Sequence, residues 1–178
     1  MSKEFSMNEK DIMKYLEELN ELMKNNNIHG DINLVGGAVM CLAFKSRKIT
    51  HDIDGIFEPK SKINDLIKSI SVKNDIPENW LNDGVKGFLS KKANFQEFKK
   101  LSNLTISIAS PEYMLAMKCL SARADNKNEI EDLKHLIKKL NLKTYEDVVE
   151  IILQFYPMEK FMVKTQYLIM EVLESVWT

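Results

Sequence analysis

The sequence predicts an α/β (α+β) protein, a small mixed sheet covered by helices with a helical C-terminal part. Three observations predict it. Apolar runs of strand length, 31–35, 49–57 and 104–109, alternate with longer stretches whose apolar residues recur at helical spacing. The run from Asn33 to Phe57, N-L-V-G-G-A-V-M-C-L-A-F-K-S-R-K-I-T-H-D-I-D-G-I-F, breaks at a glycine pair and again at a basic loop. Beyond Pro111 only helical patterns occur. We therefore expect a core over residues 1–110 and a helical part over 111–178, packed on the core as a second domain or merged with it.

The elements follow in chain order. Ser6-x-x-Glu9 matches a capping box, and Ile12, Leu16, Leu19 and Met23 then recur at helical spacing until Asn25-Asn26-Asn27 and Gly30. Asp31–Val35 reads as the first central strand, with Gly36-Gly37 at its exit. A helix over Ala38–Phe44 follows, with an apolar stripe of Val39, Leu42 and Ala43, and Lys45, Arg47 and Lys48 form a basic loop. Ile49–Phe57 is the second strand. Pro59 ends it, and Ser61 can cap a helix buried through Ile63, Leu66, Ile67 and Ile70.

Pro77 begins a turn into Glu78–Phe88. There Trp80, Leu81, Val85 and Phe88 offer apolar contacts, while Asn82, Asp83 and Lys86 can project towards a cleft. Lys91–Lys100 is polar and reads as an irregular loop, whereas Leu104–Ala109 alternates as a half-exposed strand does. Ser110-Pro111-Glu112 combines cap, proline and acid at a helix start. Further helices open at Asn128-x-x-Glu131 and Thr144-x-x-Asp147, and a last one spans Lys160–Val176. The apolar residues of that last helix read as core or as a surface for a partner helix.

The chemistry gathers on the second strand. Side chains two apart share one strand face, so Asp52 and Asp54 point the same way, about 7 Å apart at their Cα atoms. Thr50 shares that face, while His51 and Ile53 point to the other. Two carboxylates on a rigid strand suit Mg2+ (or Mn2+), a hard cation held by oxygen ligands and substrate phosphates. Gly36 and Gly37 would let the backbone approach a phosphate. Arg47 either complements the helix end or holds a nucleotide phosphate. Lys118 sits among apolar neighbours, M-K-C-L, so its ammonium must snorkel out or meet an anion. Asp125, Glu131 and Asp132 are either acids favoured at a helix start or site residues.

Composition narrows the partners. Lys+Arg 25 against Asp+Glu 26 implies no global attraction to nucleic acid, so any such binding needs a local basic patch. Cys41 and Cys119 fall in apolar helical stretches and read as buried reduced thiols. The N-terminal M-S-K-E-F-S lacks an apolar signal core, and no run approaches the ~20 apolar residues of a membrane span. A cytoplasmic protein without a membrane partner is expected.

The glycine pair, the short helix and the h-D-h-D-h strand together resemble the nucleotidyltransferase superfamily with the polymerase-beta-type palm. Within it the chain resembles the compact bacterial branch of AbiEii-like toxin nucleotidyltransferases and DUF6036 proteins. Three stretches carry the likeness further: W-L-N-D-G-V-K-G-F from Trp80, S-P-E-Y-M-L-A-M-K from Ser110, and A-R-A-D from Ala122 followed by E-D-L from Glu131. The resemblance runs from Asp31 to Leu136. It implies an NTP substrate attacked at the α-phosphate, with Asp52, Asp54 and Lys118 as catalytic residues and the two aspartates bridging metal ions. Gly36, Gly37, Arg47, Thr50, Asp83 and Asp132 are implied at the nucleotide, Asp132 ordering the site or orienting Lys118. The implied acceptor is tRNA, another RNA or a protein, in a toxin–antitoxin or defence setting with an antitoxin partner. A catalytically silent domain that binds nucleotide or a partner protein is the alternative, and modification of a small molecule a third. One departure stands out: active superfamily members often carry a third carboxylate on a neighbouring strand, and Leu104–Ala109 has none.

Overall fold

The computed structural model describes residues 4–178; residues 1–3, part of the N-terminal stretch read for a signal core, lie outside the described residues. The chain divides into two compact units, one running to Phe88 and resuming over Phe95–Ile108, the other made of Leu89–Asn94 and Ala109–Thr178.

The first unit holds a five-stranded mixed sheet. Its strands are β1 (Gly30–Val35), β2 (Ile53–Glu58), β3 (Leu81–Asn82), β4 (Phe95–Lys100) and β5 (Leu104–Ala109), in the order β3-β2-β1-β5-β4. β1 runs antiparallel to β2 and parallel to β5, and β2 runs parallel to β3. Three helices accompany the sheet: α1 (Glu9–Asn25), α2 (Gly36–Leu42) and α3 (Lys60–Asn74). Ile32 and Leu34 of β1, Ile53 and Phe57 of β2, and Ile106 of β5 are buried with Leu16, Leu19, Ile63 and Ile70 of the helices. Trp80 is buried beside them and its indole N–H donates to the Ile67 carbonyl at 3.1 Å, so its one polar atom is satisfied.

Several boundaries differ from the sequence reading, each for a local reason. The α1 cap is Asn8 rather than Ser6, with a capping box completed by Asp11, while Met7 is held in a bridge to Thr50. α2 begins at Gly36, two residues before the expected Ala38, because Gly36 takes φ +71° and turns the chain straight from strand into helix. β2 begins at Ile53 rather than Ile49, because its neighbour β1 runs out at the pair Val35–Asp54, where that same glycine leaves the sheet. Asp52 therefore precedes the strand and Asp54 lies within it. α3 starts at Lys60, with Pro59 rather than Ser61 at the N-cap position and no side-chain cap there. The segment expected as a loop contains β4, whose residues after Phe95 are all exposed. An edge strand without a buried face shows no apolar alternation, and its charges, including Lys99 paired with Glu17 at 3.0 Å, guard that edge. Phe88 ends a short 3-10 turn over Gly84–Phe88 and is 73 % exposed.

The second unit is helical, built from α4 (Pro111–Ser121), α5 (Lys127–Lys139), α6 (Tyr145–Phe155) and α7 (Val163–Trp177). Ser110 caps α4 through the Tyr113 N–H with Pro111 at the first turn, and Thr144 with Asp147 caps α6, both as their sequences predict. α5 starts two residues early, capped by Asn126, and a 3-10 turn over Met158–Lys160 delays the last helix to Val163. Leu168, Ile169, Val172 and Leu173 of α7 are buried, whereas Val163, Tyr167, Met170 and Trp177 are exposed. Cys41 and Cys119 are buried and stand outside any disulfide, and burial pushes the Cys119 thiol up to about 12, which leaves it protonated and inert. Among the described residues no helix is long and apolar enough to cross a membrane.

Candidate active site

The candidate site lies at the end of β1 and β2 in the first unit. Burial alternates along the chain there: Ile53, Gly55 and Phe57 are buried, while Asp52, Asp54 and Ile56 are half-buried. Asp54 thus lies on the face opposite the core, and Asp52, one residue ahead of the strand, is kept beside it by Asn82, which pairs with Asp54 and bonds Asp52.

The glycines stand against these residues. A Cβ on Gly36 would lie 3.0 Å from Asp54 Oδ2, and one on Gly37 would lie 2.6 Å from Thr50 Oγ1 and 3.0 Å from Arg47 Nη1. Any side chain at either position would fill the space that the carboxylate, the hydroxyl and the guanidinium now use. Gly36, Gly37, Arg47, Thr50 and Asp54 are therefore brought into one cluster. Thr50 is 5 % exposed, and its hydroxyl donates to the Asp52 carbonyl at 3.1 Å. Its backbone N–H and C=O pair with Met7 at 2.9 and 2.7 Å. These bonds make Thr50 a brace for the backbone that enters β2. His51 faces away, its Nδ1–H donating to the Phe5 carbonyl at 2.8 Å.

The Trp80–Phe88 stretch brings Asn82 to the aspartates. Asp83 pairs with Lys60, the first residue of α3. Its neighbour Asn82 lies opposite Asp54 in the β2–β3 register, and its Nδ2 donates to Asp52 Oδ2 at 3.3 Å. The sequence placed Asn82 among three residues able to project towards a cleft but offered no reason to choose the amide over the acid. The choice follows from register, since the short strand β3 ends at Asn82 and leaves Asp83 to turn towards α3.

The same register changes where a third carboxylate would have to stand. β5 is separated from β2 by β1, so Leu104–Ala109 is not the neighbouring strand. The neighbours of Asp54 are Val35 on β1 and Asn82 on β3, neither of them acidic. Among the described residues no group of three or more His, Cys, Asp and Glu side chains gathers as a metal site. The donors present are nonetheless all oxygen, on two half-buried carboxylates beside a glycine that leaves them room. That set fits a hard divalent cation completed by water and phosphate oxygens.

Lys118 and Asp132 belong to the second unit, on α4 and α5. The anion that Lys118 meets is Asp132: Nζ lies 2.7 Å from Oδ2, with the side chains 11 % and 1 % exposed. Lys45 forms an exposed ion pair with Glu9, the solvated surface role its position suggests.

A family model described as "Nucleotidyltransferase of unknown function (DUF6036)" matches residues 10–171. No curated protein and no solved structure matches the chain. The match spans both units, and the chain belongs to this nucleotidyltransferase family.

Proposed function

From that membership we propose that the chain transfers a nucleotide from an NTP to an RNA or protein acceptor in a reaction dependent on Mg2+ or Mn2+. The observation that carries the proposal is the cluster in which Gly36 backs onto Asp54 and Gly37 onto Thr50 and Arg47. Asp52 and Asp54 would hold the cation, whose chemistry is Lewis-acid polarisation of the phosphoryl oxygens. Gly36 and Gly37 would admit the phosphates close to the backbone. Arg47, beside Gly37, would bind phosphate oxygens through its planar fork. Thr50 keeps the backbone of Asp52 in place. Lys118 and Asp132 are assigned to each other, as a buried pair that orders the second unit.

One observation favours a second reading, a silent domain that binds nucleotide or a partner protein. Asp54 has an amide, not a third carboxylate, across from it on β3. Incubation with α-labelled NTPs, Mg2+ and total tRNA or cell lysate separates the two. Label on RNA or protein is expected, and its loss in Asp54→Asn ties the transfer to this site. Binding of NTP without transfer would establish the silent domain, and label on a low-mass acceptor would move the substrate to a small molecule. Labelled tRNA, with growth arrest relieved by a neighbouring small protein, would place the chain as the toxin of a toxin–antitoxin pair.

A further inference from the structure

The Asn82 side chain has three partners. Its Oδ1 accepts from the Gly84 N–H at 3.0 Å, and its Nδ2 lies 3.3 Å from the Asn79 carbonyl and 3.3 Å from Asp52 Oδ2. The partners fix the orientation of the amide. The Gly84 N–H is only a donor, so the atom facing it must be the oxygen; the Asn79 carbonyl and the Asp52 carboxylate then face the two N–H donors. A flipped amide would oppose like to like at all three contacts. β-Sheet register holds the whole group in place, because Asn82 pairs with Asp54 and the Ile53 N–H donates to the Trp80 carbonyl at 2.7 Å.

We infer that Asn82 is a positioning residue of the site, whose amide aims the Asp52 carboxylate and ties it to the Gly84–Phe88 turn. The inference rests on the reading of Asp52 and Asp54 as cation ligands. Two carboxylates on one face repel each other, so without a cation Asp52 gains by swinging away from Asp54. A lysine or arginine could stop that only by cancelling the charge that attracts the metal. A neutral amide holds one oxygen and leaves the charge intact, with Oδ1 available as a ligand. Outer partners of metal ligands typically act on affinity in this way, by about 10- to 100-fold.

Two variants separate this role from support of the turn. Asn82→Ala removes both. Asn82→Ser keeps a hydroxyl able to accept from the Gly84 N–H, as serine does in such turns, but is too short to reach Asp52. Mn2+ binding to the full chain is read from the EPR signal of free Mn2+, with Asp52→Asn as reference. We expect about tenfold or greater loss of Mn2+ affinity in both Asn82 variants, with Asn82→Ser melting like the wild type when metal-free. Should Asn82→Ala fail to fold, Asn82→Ser decides alone. Unchanged affinity in Asn82→Ser beside a large loss in Asp52→Asn overturns the inference and leaves the metal reading standing. Equal affinity in wild type and Asp52→Asn overturns the metal reading itself, and the inference with it.

Discussion

Asp52 and Asp132 are both aspartates held by a side-chain nitrogen, and they differ in what that nitrogen carries. Asp52 is half-buried and accepts from the neutral amide of Asn82 at 3.3 Å. Asp132 is 1 % exposed and lies 2.7 Å from the Lys118 ammonium. An amide orients a carboxylate without neutralising it; a buried ammonium does both. The first arrangement suits a group that must attract a cation. The second suits a group whose charge has to be compensated before a helix pair can close over it.

The largest effect expected from breaking this comparison is on activity. Asp52→Asn and Asp54→Asn should each lower nucleotidyl transfer by about 10³-fold or more, since Lewis-acid stabilisation is worth several kcal/mol. Their urea-unfolding free energies should stay within about 1 kcal/mol of wild type, because each change also relieves carboxylate repulsion. Severe unfolding in both would make the pair structural and erase the contrast with Asp132.

Lys118→Ala should show the reverse pattern. Removing one member of a buried ion pair strands the other charge, at a cost of about 3–5 kcal/mol, measured by urea unfolding. The double change Lys118→Met with Asp132→Leu should recover most of that loss, because apolar groups of similar size need no compensation. If Lys118→Ala retains wild-type stability and loses only NTP binding, Lys118 belongs with the phosphate ligands, as the family resemblance suggests.

Gly36→Ala comes next in size. The position has φ +71°, a conformation costing roughly 1–2 kcal/mol for a residue with a Cβ. The new methyl would also stand 3.0 Å from Asp54 Oδ2. Stability should fall by about that amount, and Mn2+ affinity should fall with it as the carboxylate is displaced. A stability loss with unchanged Mn2+ affinity would detach the glycine from the site.

What the sequence made legible follows where the physics is local. Asp54 points away from the core because a strand alternates, and the glycine pair marks the exit of β1 because only glycine takes φ +71° readily. The caps at Ser110 and Thr144 are short-range hydrogen bonds, readable as written. β4 was invisible because F-Q-E-F-K-K at a sheet edge buries no face and so leaves no alternation. The start of β2 is not legible locally because it depends on where β1 ends, a fact of pairing. Asn82 and Asp83 could not be ranked for the same reason: which of them faces Asp52 is set by the register of a two-residue strand. The Lys118–Asp132 pair joins two helices, and the apolar neighbours of Lys118 revealed only that an anion or solvent was needed.

A third carboxylate sharpens the comparison, with the smallest effect. Asp147 at the start of α6 accepts at one oxygen from the backbone N–H groups of Lys143 and Thr144, both at 2.9 Å, while its own N–H donates to the Thr144 hydroxyl at 3.1 Å. Those backbone donors, Lys143 first and Thr144 second, hold its carboxyl below the ordinary carboxylate value. A group whose folded pKa is depressed stabilises the fold above its unfolded pKa, about 3.9 for aspartate. That stabilisation is lost as pH falls through the lower, folded value. Asp147→Asn, neutral throughout, should therefore melt below wild type at pH 7, and the gap should begin to narrow near pH 5 and continue narrowing into the acid limb. Thermal melts of the two proteins between pH 7 and pH 2 measure it. A gap of constant size across that range would mean that the cap depends on shape alone, since only the ionised carboxylate can lose its advantage to protonation.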